Sequence, residues 1–192
     1  MNIGLYFGTF NPIHVGHLII ANHMAEYSTL DQVWLVVTPQ SPFKTKQSLL
    51  DNYQRLEMVY RATEAYPKLK PCDIEFTLPQ PNYTVNTLAH LQEKYPDYRF
   101  SLIMGEDNLL SFHKWKNHTH ILENHALYVY PRIGTDRAST KTSVTGDIHF
   151  IDAPIIEISS TFIRKAIKQG KLVRPLLPEP VWQYLDEMNF YK

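Results

Sequence analysis

Short apolar runs alternate along the chain with longer stretches whose apolar residues recur at helical spacing. This alternation predicts an α/β protein built on a parallel sheet. Strands are expected at residues 3–7, 33–38, 74–76, 100–104, 126–130 and 148–151. Runs this short and this continuous suit strands covered on both faces. A first helix is expected at about 15–27, with Leu18, Ala21 and Ala25 on one face. A second follows Asp51, a capping residue with Gln54 three positions on; Leu56, Val59, Tyr60 and Thr63 form its apolar stripe. Thr84 is the expected cap of a third helix carrying Val85, Leu88 and Leu91. A fourth starts near Ser159 and stops at Gly170, and a last begins around Pro180. The fold class that results is a Rossmann-like open parallel sheet with helices on both faces. It is read as one domain over residues 1–192, with a helical part from about 155 to 192. Residues 38–50, with two prolines and two lysines, read as a loop over a site, and 133–147 as a solvated connection.

Composition narrows the functions. With 44% hydrophobic and 20% charged residues the chain has material for a core. Nineteen basic residues balance nineteen acidic ones. No global positive field is available for nucleic acid or an anionic membrane, so any anion site must be local. A single cysteine, Cys72, excludes an internal disulfide and a Cys-rich zinc site and suits a reducing cytoplasm. The first residues lack the basic start and cleavage site of a signal peptide. No run approaches the ~18 to 20 apolar residues that span a bilayer.

The most informative stretch is Gly8-Thr9-Phe10-Asn11-Pro12-Ile13-His14-Val15-Gly16-His17, between the first strand and the first helix. In open α/β sheets that position is the crevice where ligands bind. A glycine there lets a ligand approach the backbone, and the helix start offers unpaired N–H groups and a positive dipole end to an anion. His14 and His17, three apart, share a helical face and can donate to phosphate oxygens. Gly16 between them is expected to let the helix pack close to the sheet. A zinc site is the weaker reading of the two histidines. The glutamate of His-Glu-x-x-His is missing, and no third ligand is evident.

The second constellation is Ile158-Ser159-Ser160-Thr161-Phe162-Ile163-Arg164. Ser159 can cap a helix, Ser160 and Thr161 then occupy its first turn, and Arg164 follows Ser160 by four positions. Hydroxyl and guanidinium can therefore grip one phosphate. Alone, the stretch is equally well an ordinary capped amphipathic helix.

Together, His14-Val15-Gly16-His17 and Ile158 to Arg164 resemble the [H/T]-x-G-H and I-S-S-T-x-[I/V]-R signatures of the nucleotidyltransferase superfamily. The resemblance is closer still to the bacterial nicotinate mononucleotide adenylyltransferases and covers nearly the whole chain. Pro39 to Lys44, Arg55-Leu56-Glu57-Met58, Asp73-Ile74-Glu75, Pro81 to Thr84 with Thr87-Leu88, Gly105-Glu106-Asp107, Trp115 and Arg132 stand in that family's order. Phe7, Asn11 and Phe43 depart from its glycine, aspartate and histidine.

The resemblance implies transfer of the adenylyl group of ATP to nicotinate mononucleotide. It implies His14, His17, Lys44, Ser160 and Arg164 as catalytic groups around the triphosphate. Gly8, Thr9, Phe10, Gly105, Asp107, Arg132, Ser159 and Thr161 would complete the ATP site, and Asn11, Lys44, Tyr83, Thr84 and Trp115 would receive the acceptor. Mg²⁺ would arrive on the triphosphate, without a dedicated protein cage. Nicotinamide mononucleotide and phosphopantetheine are alternative acceptors. A nucleotide-binding regulator without catalysis and an RNA-binding module are rivals of other classes.

Overall fold

The structure, a computed structural model, describes residues 1–39, 49–135 and 144–192. Its sheet has six strands: β1 (Asn2–Gly8), β2 (Gln32–Val37), β3 (Leu69–Cys72), β4 (Arg99–Gly105), β5 (Leu127–Tyr130) and β6 (Ile148–Phe150). Their order is β3-β2-β1-β4-β5-β6, and every pairing is parallel. Leu5 of β1 lies between Trp34 of β2 and Leu102 of β4. The strand order reverses between β1 and β4, so the loops after these two strands open on one crevice.

Alternation along the strands fills two cores. On one face Tyr6, Val33, Leu35, Val37, Ile103 and Tyr130 pack against α1 (Val15–Tyr27) and α2 (Asn52–Thr63). The two late helices, α6 (Ser160–Lys168) and α7 (Glu179–Glu187), join them there. On the other face Ile3, Leu5, Leu102, Met104 and Val129 meet α3 (Thr84–Lys94), α4 (Glu106–Leu110) and α5 (His118–Asn124). Among the described residues no helix is long and apolar enough to cross a membrane.

Three expectations are corrected. Residues Ile74–Phe76 form a 3-10 turn, and the third strand is Leu69–Cys72. Pro71 costs that strand a ladder donor and is tolerated because β3 is an edge. The buried face of α2 is Arg55, Met58, Val59, Ala62 and Thr63, while Tyr60 is 53% exposed. The cap itself is as expected, with Asp51 Oδ1 accepting from Tyr53 N at 2.8 Å and Gln54 Oε1 accepting from Asp51 N at 3.3 Å. Tyr83, not Thr84, is the capping position of α3. Gly170 does end α6, in the left-handed region at φ 69°.

Candidate active site

The loop from β1 to α1 forms one wall of a cavity of about 370 Å³ at the switch point. Phe10 takes a left-handed backbone, φ 44°, and turns its ring over Gly8, where a Cβ would meet it at 2.8 Å. The space at Gly8 is therefore used by Phe10. At Gly16 a Cβ would meet His14 Nδ1 at 3.0 Å and Ile156 Cγ2 at 3.2 Å. This glycine admits the histidine ring and the late chain; the expected close packing on the sheet is not what it serves.

His14 caps α1 with extended backbone, and its ring stacks on that of His17 at 3.7 Å and 24°. His14 N–H donates to His17 Nδ1 at 3.3 Å. An acceptor nitrogen carries no proton, so the neutral His17 ring bears its N–H on Nε2. His14 is 4% exposed. Burial, aided by the Arg132 charge, brings its pKa down to about 4. It is neutral near pH 7 and offers one N–H. Its Nδ1 has no hydrogen-bond partner among the described residues.

The late motif faces this loop. Ser159 caps α6 by accepting from Phe162 N at 3.2 Å. Ser160 Oγ donates to Pro12 O at 2.8 Å, and Arg164 donates from a terminal guanidinium nitrogen to Asn11 O at 2.8 Å. The two ends of the chain thus share one cleft. It is lined by Gly8, Thr9, Phe10, Asn11, His14 and His17 on one side and by Ser159, Ser160, Thr161 and Arg164 on the other. Asp107 and Arg132 stand at its rim, with Asp107 Oδ1 3.7 Å from Arg132 Nε and both side chains about half exposed. A Cβ on Gly105 would strike Asp107 Oδ1 and come within 2.9 Å of Arg132 Cγ, so this glycine admits the ion pair.

Gly105, Tyr83, Thr84 and Trp115 do not line this cavity. Lys116 Nζ lies 4.4 Å from the centre of the Tyr83 ring, and half-buried Trp115 leans on Phe112 at 5.0 Å. The α3 start and the Trp115 turn are therefore neighbours. A buried acidic residue supports the α3 start. Glu75 Oε1 accepts from Thr87 Oγ1 at 2.7 Å, and Glu75 O accepts from Asn82 Nδ2 at 3.0 Å. Burial raises the Glu75 pKa. Lys44 lies outside the described residues, as does most of the predicted 38–50 loop.

Sequence reasoning assigned no site role to three residues that shape the cleft. Arg55 is fully buried and donates to Thr9 O at 2.7 Å, Thr38 O at 2.9 Å, Leu50 O at 2.9 Å and Asn52 Oδ1 at 2.6 Å. Burial lowers its pKa to about 10, which leaves it cationic at neutral pH. Its Arg-x-x-Met context was the available signal. Tyr6 and Tyr130, hydroxyls 3.4 Å apart, line the inner part of the cavity. Nothing in their apolar strand runs marks them.

A parallel sheet of this order, with histidines and a guanidinium around its switch-point cleft, defines a nucleotide-binding α/β protein. A family model described as cytidylyltransferase-like matches residues 5–166. The chain belongs to that family. It is 69% identical over 192 residues, all of both chains, to a Flavobacterium psychrophilum protein named "Probable nicotinate-nucleotide adenylyltransferase". A Bacteroides fragilis protein of the same name is 43% identical over 186 residues, covering 97% of this chain and 92% of its own. A solved structure of Plasmodium falciparum nicotinic acid mononucleotide adenylyltransferase complexed with NaAD superposes with a TM-score of 0.82. It is 18% identical and covers 99% of this chain and 97% of that one, a likeness of fold.

Proposed function

We propose that this chain transfers the adenylyl group of ATP to nicotinate mononucleotide, giving deamido-NAD and pyrophosphate. The observation that carries the reading is the single cleft shared by His14, His17, Ser160 and Arg164. The names of relatives as similar as 69% over full length support the choice of acceptor.

In the proposed reaction an acceptor phosphate oxygen attacks the α-phosphorus of ATP. The bond from that phosphorus to the bridging oxygen breaks, and pyrophosphate leaves on the opposite side. The second pKa of a phosphate monoester is ~6, so the nucleophile is already ionised and needs no protein base. The work of the protein is to hold two mutually repelling anions in line and to stabilise charge as it moves to the leaving group. His14 and His17 hold the α- and β-phosphates, His17 through Nε2–H. Ser160, Arg164 and Lys44 hold the β- and γ-phosphates. Gly8, Thr9, Phe10, Ser159 and Thr161 shape the walls, and Asp107 accepts from ribose hydroxyls beside Arg132. Asn11, Tyr83, Thr84 and Trp115 receive the acceptor, with Trp115 offering a face to the pyridine ring. Mg²⁺ belongs to the nucleotide substrate and keeps most of its waters. The reading includes a cytoplasmic location, supported by the lone free thiol of Cys72.

The test is pyrophosphate release by the purified protein with ATP and each of nicotinate mononucleotide, its amide and phosphopantetheine. The highest kcat/KM is expected with the first. Best turnover with phosphopantetheine would defeat the assignment, and equal values for acid and amide would remove the acid preference.

A further inference from the structure

Tyr191 OH donates to Asn11 Oδ1 at 2.5 Å, across 180 positions of sequence. The chemistry above makes no use of this contact, yet its placement is built. Beyond the end of α7, Asn189 at φ 55° and Tyr191 at φ 65° both take the left-handed backbone that residues with a Cβ rarely adopt. Between them Phe190 is buried and packs edge-on against Tyr184, ring centroids 5.5 Å apart. Lys192 Nζ then returns to Asp186 Oδ1 and Asn189 Oδ1, each at 2.9 Å. The turn is held from both sides and brings the phenol to the opening loop.

Asn11 is 3% exposed, and its Oδ1 also accepts from Leu50 N at 3.3 Å. A backbone N–H only donates, so the atom facing Leu50 and Tyr191 is the amide oxygen, and the amide plane is fixed. The backbone oxygen of the same residue holds Arg164. Burial keeps the phenol pKa well above its ordinary value, so the hydroxyl remains a donor throughout the working pH range.

We propose that Tyr191 is a positioning residue whose hydroxyl fixes the Asn11 side chain and so shapes the acceptor side of the cleft. This rests on the reading of Asn11 as an acceptor-side group. Tyr191→Phe removes only the hydroxyl, and folding is verified by circular dichroism and melting. The KM for nicotinate mononucleotide should rise about fivefold, as for one lost hydrogen bond, with the KM for ATP changing less than about twofold. Asn11→Ala should raise the same acceptor KM, and adding Tyr191→Phe to it should have little further effect. Wild-type constants in Tyr191→Phe, a loss fully additive with Asn11→Ala, or a parallel rise in both KM values with a lowered melting point would each overturn the proposal. An unchanged acceptor KM in Asn11→Ala would strike one step earlier, taking Asn11 off the acceptor side and the proposal with it. Preference for a different acceptor in the pyrophosphate assay would mark the failure of the functional reading itself.

Discussion

Ser160 Oγ and the carbonyl oxygen of Pro12 are joined at 2.8 Å, although 148 positions separate them. One helical turn later Arg164 takes the next carbonyl back, that of Asn11. A single turn of α6 therefore clamps the loop carrying the histidines, and the Ser160 hydroxyl, whose one proton goes to Pro12 O, is a tether of the residue proposed to hold phosphate. Ser160→Ala should cost about 1 kcal/mol of folding stability and lower kcat by about tenfold or more. Denaturant melts beside steady-state kinetics separate the two effects. Unaltered stability would show that the tether contributes nothing.

His14 gives the protein a defined acid sensitivity. Its folded pKa, about 4, lies below the ordinary 6.5, so on acidification the unfolded chain takes up the proton first. The stability it confers is complete above about pH 6.5 and is lost as the pH falls toward 4. The difference corresponds to about 3 kcal/mol. Denaturation at pH 7, 5.5 and 4 should show this fall in the wild type and a shallower one in His14→Asn. Parallel curves would contradict the buried, neutral imidazole.

Arg55 holds three backbone carbonyls from three segments of the chain. Lysine has fewer donors and no planar fork, so Arg55→Lys leaves buried acceptors unmet and should cost about 2 kcal/mol or more. Because Thr9 is among the partners, kcat should fall too. A lysine variant with wild-type melting and turnover would show the guanidinium to be dispensable.

Asp107 and Arg132 form an exposed pair at 3.7 Å, and such pairs add little to stability. Asp107→Ala should melt within about 0.5 kcal/mol of the wild type. If its carboxylate receives ribose hydroxyls, the KM for ATP should rise about tenfold while that for the acceptor stays put. A change in melting without a change in KM would reverse that assignment.

The parts of the fold legible in the sequence were those where burial is two-sided. The runs of β1, β2, β4 and β5 are apolar because both faces are covered, and the Gly8 to His17 stretch announces itself by residue types that few loops combine. The edge strand was not legible, because Lys70 and Pro71 break its pattern. Meanwhile Ile74-Glu75-Phe76 imitates strand alternation even though Glu75 is buried beside Ile74 and bonded to Thr87. On α2 an arginine reads as solvated, and only the carbonyls gathered by the tertiary fold make Arg55 a core residue. The Tyr191 contact depends on two left-handed residues and a partner at the other end of the chain, which no local pattern encodes.

The face-to-face imidazoles of His14 and His17 carry one more consequence. Two imidazolium rings 3.7 Å apart would repel by about 4 kcal/mol at a partly screened site. The stacked geometry is therefore that of a pair carrying at most one charge, and the two imidazoles meet an anion as one unit rather than as two independent cations.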